Sequence, residues 1–220
     1  MPLVDVGLCF FETNPKTIKR CIESFYEHVD NIWCIDGRFL DFNYPEDLSP
    51  QPVRDLIMSY PNTILRDVVG DEVAKRTKYL KLCEQYKTEY LLIIDADEWV
   101  LEADWDLFKS NLVKVGNREP YQPFLGMKML VDKEGGFGDY PKIWHWPQNI
   151  EYITHGVFRN KTNGVVSQSS SATATEYRVD GLMLMGDDTL RDPDYVKRSY
   201  DYQVILINKE TPIRKQFLKG

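Results

Sequence analysis

Through its first 95 residues the chain alternates strand-like with helix-like segments, and few architectures accommodate such a pattern. Residues 4–11 are mostly apolar and read as a strand; Asn14 and Pro15 then offer a helix start, with Asn14 as N-cap and Pro15 in the first turn. Ile18, Cys21, Ile22, Phe25 and Tyr26 follow at helical spacing, so one face of that helix is expected to be buried. Residues 32–35 form a second apolar strand running into Asp36 and Gly37, a loop with three prolines covers 44–52, a short helix spans 53–59, and a third strand spans 63–65. From 71 to 86 the pattern is helical again, with Val73, Thr77, Leu80 and Cys83 on the inner side and Lys75, Lys78 and Lys81 outside. Residues 90–94 make a fourth apolar strand. Strands separated by helices pair in parallel through crossovers, so the expected fold is a largely parallel sheet with helices on its faces. Ligands of such sheets bind beyond the carboxyl ends of the strands.

The remainder reads less regularly. A short helix after Trp105 precedes strand-like pieces near 121–131, 142–146 and 152–158. Residues 163–175, rich in Ser, Thr and Gly, read as a mobile loop, either a linker or a functional lid. Residues 177–185 return as a strand, 192–206 look helical with Pro193 in the first turn, and 211–220 read as a tail.

Composition narrows the function. The 220 residues suit one domain, and 27 basic against 34 acidic residues give a net charge of -7. A broad basic surface for duplex binding is therefore not expected, and nucleic acid is an unlikely class of partner, whereas small or metal-bound anions remain open. No apolar run approaches the roughly 20 residues of a membrane-spanning helix. The first residues show no basic region followed by an apolar stretch, so no secretory signal is expected. Cys9, Cys21, Cys34 and Cys83 are spaced neither as a disulfide framework nor as a zinc site, and thiols in a cytoplasmic setting are expected.

The chemistry concentrates at Leu91-Leu92-Ile93-Ile94-Asp95-Ala96-Asp97-Glu98-Trp99, where three carboxylates follow a buried strand. Carboxylates this close repel one another, and their full ionisation calls for a compensating cation. Mg²⁺ or Mn²⁺, which prefer oxygen ligands, would supply it. The bland alternative is a solvated acidic loop.

With this Asp-X-Asp motif at the fourth strand, the N-terminal strand, Asp36 at the end of the second strand and Arg76 on the preceding helix, the chain resembles the nucleotide-diphospho-sugar transferases of the GT-A fold, especially family 2 of the glycosyltransferases. The resemblance covers the first 100 residues well and the rest loosely. It implies an α/β, Rossmann-like GT-A fold: a central, mostly parallel mixed sheet flanked by helices, in one domain over 1–220. Residues 1–100 would bind a UDP- or GDP-sugar, and 101–210 an acceptor that the sequence leaves unnamed. Asp36 would contact the nucleoside, Asp95 the ribose, and Asp97 a Mn²⁺ or Mg²⁺ ion on the donor diphosphate. Phe10 would lie near the base, or belong to the core. Arg76 would face the donor phosphates through its planar guanidinium, or be a solvated helix charge.

Residues 141–144 and 152–156 resemble the family segment that ends in a His-Glu pair; His155 is present, and Gly156 replaces the Glu. By the resemblance His155 would ligate metal or orient a phosphate, whereas His28 and His145 read as structural. Asp187 or Asp188 would take the place of a later His as an oxygen ligand, or cap a helix, and Arg191 and Lys197 would neutralise the leaving diphosphate. Asp139, Glu151 and Asp180 are the candidate catalytic bases. The expected activity is a metal-dependent hexosyltransferase-like transfer; a nucleotidyltransferase and a non-catalytic nucleotide-sugar-binding protein derived from a transferase are the alternatives. The haloacid-dehalogenase-like phosphatases also place Asp-X-Asp after a strand, but at the first strand and followed by Thr or Val where Trp99 stands here.

Overall fold

The computed structural model describes residues 3–11, 14–40, 44–120, 122–131, 136–154, 157–168, 171–186 and 208. The elements run β1 (Val4–Phe10), α1 (Pro15–Glu23), β2 (Ile32–Asp36), α2 (Gln51–Met58), β3 (Thr63–Asp67), α3 (Glu72–Tyr86), β4 (Tyr90–Asp95), β5 (Glu98–Ala103), α4 (Trp105–Arg118), β6 (Phe124–Val131), β7 (Gly136–His145), β8 (Ile150–Thr154), β9 (Val157–Asn160), β10 (Val166–Gln168), α5 (Ser171–Glu176) and β11 (Arg178–Gly186). Eight strands form one sheet in the order β3-β2-β1-β4-β7-β6-β11-β5, and β10-β9-β8 form a second. β3, β2, β1 and β4 are mutually parallel, and β7 is antiparallel to both β4 and β6. The architecture is Rossmann-like: a mixed, mostly parallel sheet flanked by helices.

The apolar runs of the central strands are continuous because the sheet is covered on both faces. Tyr90, Leu92 and Ile94 join a core with α1, α2 and α4, whereas Leu91 and Ile93 join a second core with α3, β8 and β9. Local capping follows the sequence. Asn14 accepts from the Lys16 N–H at 2.8 Å, Asp71 from Ala74 at 2.8 Å and Asp104 from Leu107 at 2.9 Å, each satisfying a first-turn donor. At the amino end of the sheet the buried Asp5 carboxyl accepts from the Asn31 N–H and Asn31 Nδ2, both at 2.9 Å, and from the Thr88 hydroxyl. Burial raises its pKa, with the Thr88 and Asn31 hydrogen bonds opposing the shift.

Four expectations change. The segment read as a mobile loop contains β10, paired antiparallel with β9, and α5, whose Ala174 is buried against β6. Ser and Thr are compatible with strand and helix once neighbours supply the packing. Residues 152–158 are not one strand: β8 and β9 form a hairpin. β5 was missed because only Glu98 and Trp99 of its six residues are buried, which leaves no apolar alternation to read. Finally, Lys75 faces inward and is fully buried. α3 buries Glu72, Lys75, Tyr79, Leu80, Leu82 and Cys83, a face that two charged residues disguise. The helix read over 192–206 and the tail over 211–220 lie outside the described residues, apart from residue 208.

Gly126 of β6 tests the docking of α5, since a Cβ there would overlap the backbone carbonyl of Ala174. Gly126→Ala is expected to lower the unfolding free energy by about 3 kcal/mol, as overpacking against backbone cannot relax by rotamer change. Gly164→Ala meets nothing within 4 Å and carries only the strain of its φ of +72°, about 1 kcal/mol. Urea denaturation of the two variants, with equal losses, would contradict this packing.

Candidate functional site

The carboxyl end of β4 carries the acidic turn that the sequence singled out. β4 ends at Asp95, a turn of Ala96 and Asp97 follows, and β5 begins at Glu98. Glu98 closes the turn on itself by accepting the Asp95 N–H at 2.9 Å. From the neighbouring strand β7, Lys142 donates to both Glu98 oxygens, at 2.6 and 2.7 Å, and lies 3.5 Å from Asp95 Oδ2. The side chains of Lys142 and Glu98 are 13% and 7% exposed, whereas that of Asp95 is 44% exposed. Burial pushes the Glu98 carboxyl up to about 7, with the Lys142 ammonium opposing the shift. Burial works against the charge on Lys142 too, but the Glu98 and Asp95 carboxylates outweigh it and hold the ammonium charged. α1 supports the turn from the other side: Cys21 Sγ lies 3.7 Å from the Asp95 carbonyl, Ser24 Oγ accepts the Val100 N–H at 3.0 Å, and the Arg20 guanidinium stacks 3.5 Å from the Trp99 ring.

α3 contributes two more cations. Lys75 Nζ donates to the carbonyls of Phe10 and Gly37, at the ends of β1 and β2, and lies 3.8 Å from the Phe39 ring centroid. Burial lowers its pKa to about 8. Arg76 is not a solvated helix charge. Its Nε donates to Glu72 Oε1 at 2.7 Å and its Nη1 to the Tyr79 hydroxyl at 2.7 Å; the Tyr152 hydroxyl of β8 donates to the same Glu72 oxygen at 2.7 Å.

The other candidates are dispersed. Asp36 lies at the end of β2, fully buried, and its two oxygens accept from the Ser49 N–H, the Ser49 hydroxyl at 2.7 Å and Arg54, which also reaches Asp67 at 2.9 Å. Phe10 is buried in the core beside α1. Asp139, on β7 with Lys142, lies 3.8 Å from Arg178, and Asp180 holds the same guanidinium at 2.9 Å. Glu151 belongs to the smaller sheet, where it pairs with Arg159 at 2.9 Å. His145 stacks on Tyr90 at 4.8 Å and His28 on Trp105 at 4.8 Å, both in packing roles. His155, Asp187, Asp188, Arg191 and Lys197 lie outside the described residues.

A divalent cation takes about six oxygen ligands. Among the described residues no three of His, Cys, Asp and Glu converge in a way that could hold a metal ion. Glu98 is committed to Lys142, and of the three residues expected to hold a metal only Asp97 is among those described. Lys142, Lys75 and Glu72 carried no role in the sequence reading. The one signal available was a charge placed within a strand or helix whose neighbours are buried.

No protein-family model matches the sequence, and no curated protein matches it. Among solved structures, the chain is similar in part to TarS of S. aureus, residues 1–349, in complex with UDP-GlcNAc, at 14% identity over 61% of this chain and 36% of that chain, with a TM-score of 0.42. The same TarS segment in complex with UDP gives 11% identity over 61% and 37%, with a TM-score of 0.40. The matched region thus spans little more than a third of those chains.

Lys75 yields a pH prediction. Its pKa is about 8 in the fold against 10.5 unperturbed, so between those values the unfolded chain binds more protons and stability rises with pH. Relative to Lys75→Met, the wild type should gain ~3 kcal/mol across this window. Denaturant midpoints of both proteins at its two ends provide the check, and parallel pH dependences would refute the burial of this ammonium.

Proposed function

We propose that the chain is a GT-A-like glycosyltransferase that binds a nucleoside diphosphate sugar, a UDP- or GDP-sugar, at the carboxyl ends of β1, β2 and β4 and transfers the sugar to an acceptor hydroxyl. One observation carries this reading: the Asp95–Glu98 turn directly follows β4 in a parallel β3-β2-β1-β4 order, with a half-exposed Asp95 beside buried Lys142. Ligands of open α/β sheets bind at that end, and a diphosphate requires cations there.

In this reading Asp95 accepts the ribose hydroxyls, and Asp36, held by Ser49 and Arg54, fixes the end of β2 beneath the nucleoside. The acceptor oxygen bonds to the anomeric carbon as that carbon's bond to the diphosphate oxygen breaks, and the acceptor proton passes to a carboxylate. Asp139, carried on the same strand as Lys142, is the base that suits this geometry best. Lys142 and Arg76 meet the charge left on the diphosphate, a stabilisation that grows as the bond breaks. Four free thiols, Cys9, Cys21, Cys34 and Cys83, fit a cytoplasmic setting.

Thermal unfolding with UDP, GDP, CDP and their sugar conjugates, with and without Mn²⁺, tests the reading. One nucleoside diphosphate family should raise Tm by about 5 °C at concentrations ~100-fold above Kd, and Asp95→Asn should remove most of that shift. The absence of a shift with every nucleotide would sink the proposal.

A further inference from the structure

Three carboxylates fall within four residues, and one ammonium already contacts two of them. Lys142 Nζ spends two of its three protons on Glu98, at 2.6 and 2.7 Å, and directs its charge at Asp95 Oδ2, 3.5 Å away. A divalent cation bridging Asp95 and Glu98 would sit roughly 2.0–2.6 Å from an oxygen of each, in the space that this ammonium fills. Lys142 cannot easily yield that space. It projects from β7, a strand paired on both sides with β4 and β6, and its departure would leave Glu98, whose side chain is 7% exposed, buried without its partner.

We infer that Lys142 is the resident counter-cation of the acidic turn and that it excludes a divalent metal from Asp95 and Glu98. If the site is the nucleotide-sugar site proposed above, donor binding there uses no metal held by Asp95 and Glu98, and Lys142 faces the diphosphate in its place.

Mn²⁺ alone, titrated into the full chain and followed by the loss of the free-ion EPR signal, tests this without any nucleotide, so its outcome is separate from that of the nucleotide panel. Wild type should show no site tighter than ~1 mM, and Lys142→Gln, which frees the Asp95 and Glu98 carboxylates, should bind Mn²⁺ at least about tenfold more tightly. Lys142→Arg keeps the cation and should behave as wild type. Micromolar Mn²⁺ binding by the wild type, or a folded Lys142→Gln that binds no better, overturns the inference. If Lys142→Gln does not fold, the wild type and Lys142→Arg decide it: weak Mn²⁺ binding by both supports the inference, and tight binding by either overturns it.

Discussion

Only Ala96 and Asp97 join β4 to β5, although three other strands lie between those two in the sheet. Neighbouring strands are roughly 4.8 Å apart, so in a flat sheet β5 would lie about 19 Å from β4. A link of three Cα steps reaches at most about 11 Å. The sheet must therefore curl until its far edge comes back beside the end of β4. The core enclosed by that curl contains α1, α4 and the inward faces of β6 and β11, and α1 touches both strands at the junction. The acidic turn is thus the point at which the curled sheet is cinched, and the Glu98–Lys142 pair fastens it.

The charges around this point are buried at different depths. Lys75 is wholly inside and bonds only to uncharged carbonyls and an aromatic face, which is why its pKa falls. Lys142 and Arg76 each bond to a buried carboxylate, Glu98 and Glu72, and keep their charge. A bare buried cation is costly, whereas a paired one can present its field to an exposed neighbour such as Asp95. The floor of the site therefore combines a nearly neutral tie between β1 and β2 with two charged groups beside β4.

How much of this could be read from the sequence depends on the range of the interactions. Asn14-Pro15, the spacing of Ile18, Cys21 and Ile22, and the run 90–94 act within one helical turn or one strand, and they placed the first four strands and three helices. Lys75 was assigned to solvent because its partners, Phe10 and Gly37, are 65 and 38 residues away. Lys142 was not read as a partner of the acidic turn because nothing local distinguishes it, 44 residues beyond Glu98, from any strand lysine. β10 and α5 depend on β9 and Gly126 for their packing, so their composition alone read as a loop.

The two ends of the parallel strands are closed by different means. At the amino end Asp5, Asn31 and Thr88 form a compact hydrogen-bonded hub linking β1, β2 and the approach to β4, with its carboxyl fully buried. At the carboxyl end the ties are long side chains, Arg54, Lys75 and Lys142, each bonded to a buried partner beside the half-exposed Asp95. Breaking one such tie leaves a single partner buried and unpaired, whereas opening the hub exposes a desolvated carboxyl shared by three segments at once. Hydrogen exchange of the amides around Asp5 is therefore expected to need a wider opening than that of residues 95–98. A donor entering as proposed would therefore meet ties that involve one side chain each, while the Asp5 hub at the opposite end keeps the strands in register.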